Sequence, residues 1–358
     1  MAGSPYASAL GRLEPEFTAF LPKETYATLL TAKDPGDLAK LLETSPYGDD
    51  IARARTTHAG SSMLEVAINR TFVRRNRHAY EATPYAGRRV VAAYLGRWDI
   101  QNIELILSSR AQGRPVTETE DHLVSSREIP AGLYAGVMTL DDFRLLLAQP
   151  TVEGLVGALT QYGYGATVLP LLEAFQRTHD IFPILTALDR QYYQDVGAAA
   201  RFFQGDEWTV RSLLGSEIDV RNALLLLKGK RAELPLSELL PRWIPGGTLG
   251  EDAASDLYTA RAVPELAERL AERFPSAPAG TEEFQAAGNL SGYETALQRD
   301  RAARELRLLR TYPLSLAVIF AYLLRSEIER VDLRRIAFGK LYGLSNDRLE
   351  RLLVAPAL

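Results

Sequence analysis

The 358-residue sequence contains no cysteine. Structural disulfides and thiolate chemistry are thereby excluded, and a reducing compartment, with the cytoplasm as the default, is the expectation. Charge of one sign is missing too. The 41 basic and 45 acidic residues leave a formal charge of -4, too little to steer the whole molecule onto nucleic acid or anionic lipid, so any charged contact must be a local patch. Met1 to Pro15 shows no basic start followed by an apolar run, and no secretory signal is expected there. The longest mostly apolar stretch, Tyr312 to Leu324, is broken by Pro313 and Ser315. It is too short for the roughly 20 residues of a membrane-spanning helix and reads as a buried core helix.

Signatures of chemistry are equally scarce. His58, His78, His122 and His179 are far apart and have no companion at metal-ligand spacing. No G-x-S-x-G elbow is present. Gly229-Lys230 and Gly339-Lys340 lack the earlier glycine and the following Ser or Thr of a phosphate-cradling loop, and read as helix ends. Asp141-Asp142 precedes an apolar segment, where carboxylates favour a helix start over a metal pair. Arg70, Arg74 and Arg77 share a helix face, with Arg75 and His78 beside them, and read as a solvated face rather than a binding patch. No catalytic, cofactor-binding or metal-binding residue is expected, and no nucleic-acid partner.

What is present is helical. A hydrophobic share of 46% is enough for a sizeable core, and the length suits two or three domains. Leu29, Leu30, Leu38, Leu41 and Leu42 keep i, i+3, i+4 spacing in two short segments broken near Pro35 and Gly36, the pattern of a helical hairpin. Sustained period-two alternation is absent, so the fold class is all-α.

Internal repeats organise the chain. Asp99-Ile100-Gln101-Asn102-Ile103 recurs as Asp219-Val220-Arg221-Asn222-Ala223 and as Glu329-Arg330-Val331-Asp332-Leu333, at offsets of 120 (219−99) and 110 (329−219). A basic residue follows each acid after eleven positions: Arg110, Lys230 and Lys340. A second repeat aligns Leu21 to Gly48 with Met138 to Gly165 at an offset of 117 (138−21), and a looser copy runs through Val263, Leu266 and Leu270. Leu344, Leu349, Leu352 and Leu353 resemble the opening of one more hairpin, so the chain could close on itself. Three units are expected, at 1–125, 126–242 and 243–358, with linkers at Arg110 to Gly132, Pro235 to Gly250 and Pro275 to Gly292.

At helical spacing, Asp99 and Asn102, Asp219 and Asn222, and Glu329 and Asp332 each present two acceptors on one face. A ligand site would use them. The reading preferred is structural: each pair fixes a neighbouring helix end or loop, three times over. Arg334 and Lys340 are counted with these repeated positions.

The repeats resemble the C subunits of prokaryotic V/A-type rotary ATPases, a family similar to the d subunit of the eukaryotic vacuolar enzyme. The resemblance spans nearly the whole chain. It rests on Tyr94-Leu95 leading into Asp99 to Ile103, on Glu217 to Asn222, and on Glu329 to Lys340 with Leu333-Arg334, Ile336 and Gly339-Lys340. The sequence departs from the family pattern at Asp332, where Asn is usual, and at Ala223, where a larger apolar residue is commoner. The resemblance implies a funnel-like socket of three helical domains, seated on the membrane proteolipid ring and receiving the central shaft. ATP chemistry would take place in other subunits, while this one transmits torque for coupled proton or sodium transport. It would lie on the cytoplasmic side, peripheral to the membrane, touching it through the ring. A free-standing helical repeat scaffold for partner proteins is the alternative, and an all-helical enzyme with a site assembled from distant residues a third.

Overall fold

The computed structural model describes residues 4–116, 119, 123–124, 138–201 and 207–358. Among these residues there is no strand, as the leucine spacing led one to expect. No described helix is long and apolar enough to cross a membrane.

Long helices form the frame: α1 (Gly60–Ala82), α2 (Tyr85–Leu95), α3 (Arg97–Ala111), α4 (Phe182–Arg201), α5 (Glu207–Arg231), α6 (Ser291–Thr311) and α7 (Ala317–Leu341). Gly96 joins α2 to α3 with helical backbone angles (φ −56°, ψ −16°), so the two are nearly one rod. α3, α5 and α7 end at equivalent positions, 111, 231 and 341, and end in the same way. Arg114, Leu234 and Leu344 donate their N–H groups to the carbonyls of Ser109, Gly229 and Gly339 at 2.9, 3.0 and 2.8 Å. The residue before each donor is left-handed: Gly113 at φ 68°, Glu233 at φ 56° and Gly343 at φ 69°. These are Schellman stops, satisfying carbonyls that a helix end would orphan.

Short paired helices hang from the frame. Lys23–Leu30 with Pro35–Leu42, Leu140–Leu147 with Val152–Leu159, and Glu251–Tyr258 with Val263–Leu270 are three hairpins of equal helix length. Their offsets are 117 (140−23) and 111 (251−140). Asp34 and Thr151 cap the second helix of the first two by accepting from Asp37 N and Gly154 N. Asp141-Asp142 does mark a helix start: Thr139 and Asp142 form a capping box on Leu140–Leu147.

The long helices touch in a closed circuit: α1 against α7, α7 against α6, α6 against α5, α5 against α4, α4 against α2 and α3, and α2 back against α1. Their buried faces make one large core, and two smaller cores lie beneath the first and third hairpins. In the first, Leu38 and Leu42 pack with Leu333 and Ile336 of α7. In the second, Leu266 and Leu270 pack with Ala223 and Leu226 of α5.

Several expectations need correction. Pro275 to Gly292 is not a linker: it holds a 3₁₀ turn at Ala277–Ala279 and a helix at Gly280–Ala287, both packed on α6. Gly280 lies so close to Tyr293 that a Cβ there would collide with its backbone. Pro235 to Gly250 likewise contains Leu236–Leu239 and a 3₁₀ turn. Asn346–Arg351 does not open another hairpin, because at an offset of 110 (346−236) it matches Leu236–Leu239, the stretch that leads up to one. Within Tyr312 to Leu324 only Leu316 onward holds most of the buried residues; Tyr312 and Leu314 are 45% and 52% exposed. The boundary at 125 and most of Arg110 to Gly132 lie outside the described residues.

Candidate functional site

The repeated amide and carboxylate positions are clamps on backbone. Asn102 donates from Nδ2 to Val124 O at 3.3 Å and accepts from Val124 N at 2.7 Å. Asn222 does the same to Ile244, donating at 2.8 Å and accepting at 3.1 Å. Both clamps reach 22 residues along the chain, and so does Asp332, which accepts from Val354 N at 3.0 and 2.9 Å. A carboxylate cannot donate, and Asp332 instead takes a further N–H from Ala355 at 2.7 Å. The departure from Asn thus comes with a different partner set, suited to the turn at Ala355–Ala357. Burial pushes the Asp332 carboxyl up to about 6 despite those donors.

The acids three residues earlier reach the hairpins. Glu329 accepts from Leu21 N at 2.6 Å, Tyr47 Oη at 2.7 Å and Arg75 Nη1 at 2.6 Å. Asp219 accepts from Leu249 N at 2.7 Å and Thr248 Oγ1 at 2.5 Å. Leu21 and Leu249 are equivalent residues of their hairpins. Asp99 differs, for both its oxygens are buried and make no hydrogen bond among the described residues. Burial, reinforced by Asp142, raises its carboxyl to about 8.

The basic residues complete the pattern. Arg110 donates to Leu147 O at 2.6 Å, Lys230 to Tyr258 O at 2.9 Å and Lys340 to Leu30 O at 2.5 Å. Each carbonyl belongs to the last residue of a hairpin's first helix, where a cation is favoured. α3 holds the second hairpin, α5 the third and α7 the first, so the last long helix reaches back across 310 residues to the start of the chain. Arg334 instead bonds Glu65 at 2.8 Å. Its equivalents are Leu224 and Glu104, and the repeat in residue type stops short of it.

A second constellation carries no sequence motif. Arg97, Glu217 and Glu327 stand at equivalent positions of α3, α5 and α7, and they meet. Arg97 donates to Glu217 Oε2 at 2.6 Å and to Glu327 Oε2 at 3.2 Å. Its guanidinium also lies 3.9 Å from the Tyr94 ring centroid and donates to Tyr192 Oη at 2.8 Å. Glu217 further accepts from Tyr193 Oη at 2.7 Å and from Arg301 at 3.4 Å. Burial alone would raise the Glu217 carboxyl, but Arg97, Arg301 and Arg221 together hold it down at about 2. Arg97 is a repeat position occupied by opposite charges, which a search for matching residues cannot see.

Beside this cluster lies a cavity of about 170 Å³, lined by Gln101, Glu104, Asp189, Arg221 and Gln298 among others. A cleft of about 470 Å³ shares Glu104, Asp189 and Arg221 and extends to Lys228 and Glu294. Arg221 pairs with Asp189 at 2.5 Å. Burial raises Glu104 to about 8, with Asp189 adding to the shift and Arg221 opposing it. This polar hollow runs toward the C-terminal halves of α3 and α5. Near the starts of α2 and α5, Tyr85 is 90% and Trp208 61% exposed, and Trp208 and Tyr312 have ring centroids 6.2 Å apart.

The arginine face of α1 is less solvated than its spacing suggests. Arg70 and Arg74 both pair with buried Asp50, at 3.6 and 2.6 Å, and Arg75 is itself buried against Glu329. Arg77 stays at the surface with Glu81. His122 lies outside the described residues. His58, His78 and His179 line neither the cavity nor its cleft, and no three His, Cys, Asp or Glu side chains among the described residues group as a metal site.

Among the described residues the chain is helical, with three equivalent backbone clamps and a buried charge cluster. Residues 15–352 match the family model of the ATP synthase (C/AC39) subunit, and the chain belongs to that family. It is 33% identical over 99% of both chains to the C subunit of the A-type ATP synthase of Thermoplasma acidophilum. The corresponding protein of Thermoplasma volcanium is 32% identical over 98% of both. That of Halorubrum lacusprofundi is 26% identical, over 97% of this chain and 99% of its own.

Proposed function

We propose that this chain is the non-catalytic central-rotor subunit of an A-type ATP synthase, linking the central shaft to the membrane proteolipid ring and passing torque between them. Its three helical units, 1–125, 126–242 and 243–358, would form a funnel-like socket on the cytoplasmic side, peripheral to the membrane. The observation that carries this reading is the contrast between two surfaces on either side of Arg97, Glu217 and Glu327. The polar hollow around Glu104, Asp189 and Arg221 suits the tip of a shaft, while the exposed Tyr85, Trp208 and Tyr312 suit an apolar ring. Close-packed helices supply the stiffness that torque requires, and the hydrogen bonds of Asn102, Asn222 and Asp332 would keep the units from shearing.

Affinity purification of the tagged chain from its host tests this. Shaft and proteolipid subunits should both come down with it. Trp208→Ser with Tyr85→Ser should lose the proteolipids and keep the shaft, whereas Glu104→Lys with Asp189→Lys should do the reverse. Recovery of neither subunit with the parent chain would favour a free-standing scaffold.

A further inference from the structure

One cleft gathers cations that no acid among the described residues pairs. Between the first hairpin, the end of α6 and the middle of α7 lies a cleft of about 330 Å³. Part of its wall is apolar, formed by Phe17, Phe20, Leu306 and Ile328. Three cations, Lys23, Arg310 and Arg325, stand around it, and none makes an ion pair or a hydrogen bond among the described residues. Arg325 rests over the Phe20 ring, 5.4 Å from its centroid, so its guanidinium is held at the apolar wall. Glu329 is the one acidic side chain lining the cleft, and it is already taken by Leu21 N, Tyr47 and Arg75; Leu358 and its carboxylate also border the cleft, with no ion pair to any of the three cations. Partial loss of water at the cleft wall and then the repulsion of Arg310 lower the Arg325 pKa from its ordinary value, with Glu329 and Tyr26 opposing. An anion placed between the two would remove that repulsion.

In a chain whose formal charge is -4, three cations without an ion pair at a cleft lined in part by aromatic rings form a receptor with two halves. The cations match a carboxylate or phosphate, which arginine binds through paired N–H donors. The apolar wall matches a hydrocarbon chain, which gains by leaving water. We propose that this cleft binds a single-chain amphiphilic anion, with its acidic head between Arg310 and Arg325 and its tail against Phe17 and Phe20. The site is distinct from the hollow around Glu104, Asp189 and Arg221 and does not depend on the rotor reading.

Calorimetric titration of the full chain with decanoate and with decyl phosphate, both kept below micelle formation, tests it. Inorganic phosphate and a neutral decyl glycoside serve as controls. At least one decyl anion should bind saturably with one site, and the preferred head group tells a fatty acid from a phosphorylated lipid. The double variant Arg310→Gln, Arg325→Gln should weaken that binding by about tenfold or more, the scale of a lost charge-assisted contact. Both residues are exposed, so the variant's melting temperature should match the parent's. Phe17→Ser should weaken decanoate binding with both arginines present. Equal binding of the neutral glycoside, an unchanged affinity in the double variant, or association with anionic vesicles but with neither free amphiphile would each overturn the proposal.

Discussion

Arg97 and Glu217 are 120 residues apart in the chain, occupy equivalent positions in α3 and α5, and bond at 2.6 Å. With Glu327 completing the set at 3.2 Å, three copies of one position converge at a single point. Two acids and one base share that point, and Arg301 reaches Glu217 at 3.4 Å while bonding buried Glu305 at 2.9 Å. Arg97→Met should therefore cost about 3 to 5 kcal/mol, the penalty for leaving a buried acid without its partner. Urea unfolding measures this directly. A loss below about 1 kcal/mol would mean that Arg301 suffices for Glu217 without Arg97.

The same cluster fixes a pH dependence. The folded Glu217 carboxyl lies near 2, below the ordinary glutamate value of 4.5. It therefore contributes stability above that ordinary value, and the contribution is lost as pH falls from there toward 2. Asp99 acts with the opposite sign. Its folded value near 8 stands above the ordinary 3.8, so the folded state holds the proton more tightly, and stability falls as pH rises between the two values. Asp99→Asn should raise the melting temperature at pH 8 and do so less at pH 5. Asp219→Asn should lower it at both, because Asp219 accepts from Leu249 N and Thr248 Oγ1. Equal and opposite shifts from these two substitutions are not required, but a destabilised Asp99→Asn protein at pH 8 would refute the assignment.

Asn222 gives a test of the clamps. Replacement by Ala strands the buried N–H and C=O of Ile244, and each lost partner costs about 1 to 3 kcal/mol. Asn222→Asp keeps the acceptor and loses the donor, so it should be about half as harmful. Hydrogen exchange at Ile244 should quicken in the alanine variant and stay slow in the aspartate one.

Much of this was legible beforehand, for definable reasons. Leucine spacing reports helix period directly, and Asn102, Asp219, Asn222, Glu329 and Asp332 keep their chemical type because a backbone clamp needs an amide or carboxylate; Asp99 keeps the type and makes no such bond among the described residues. Lys230 and Lys340 were visible for the same reason: a helix-end carbonyl accepts from any cation. The Arg97 cluster was not legible, since complementarity demands that Arg97 differ from Glu217 and Glu327, and a motif search rewards likeness. Arg75 escaped too. On α1 its spacing resembles that of the surface arginines, and only folding brings Glu329 across 254 residues to meet it. Pro275 to Gly292 misled by composition: its prolines and glycines permit close packing, with Gly280 against Tyr293, rather than a loose connection.

Glu233 holds the left-handed stop of α5 at φ 56°, where Gly113 and Gly343 serve α3 and α7. A side chain there costs about 1 kcal/mol that glycine avoids, partly offset by glycine's greater freedom in the unfolded chain. Glu233→Gly should stabilise by several tenths of a kcal/mol to about 1 kcal/mol, and Gly343→Ala should destabilise by about as much, read from urea midpoints at constant slope.

Position 109 offers the sharpest test of equivalence between units. Gly229 and Gly339 exist because a Cβ would collide with Leu239 and Leu349, the equivalent leucines of the segments packed on α5 and α7. The first unit carries Ser109, and the residue at the leucine position is the smaller Thr119, also buried. Gly339→Ser should thus destabilise by about 1 to 3 kcal/mol through overpacking, and Leu349→Thr by a similar amount through the cavity it leaves and the hydroxyl it buries. The double variant reproduces the pairing of the first unit, so its loss should be smaller than the sum of the two by about 1 kcal/mol or more, a coupling that a double-mutant cycle isolates. Strict additivity would show that Ser109 and Thr119 do not occupy in the first unit the places that Gly339 and Leu349 hold in the third.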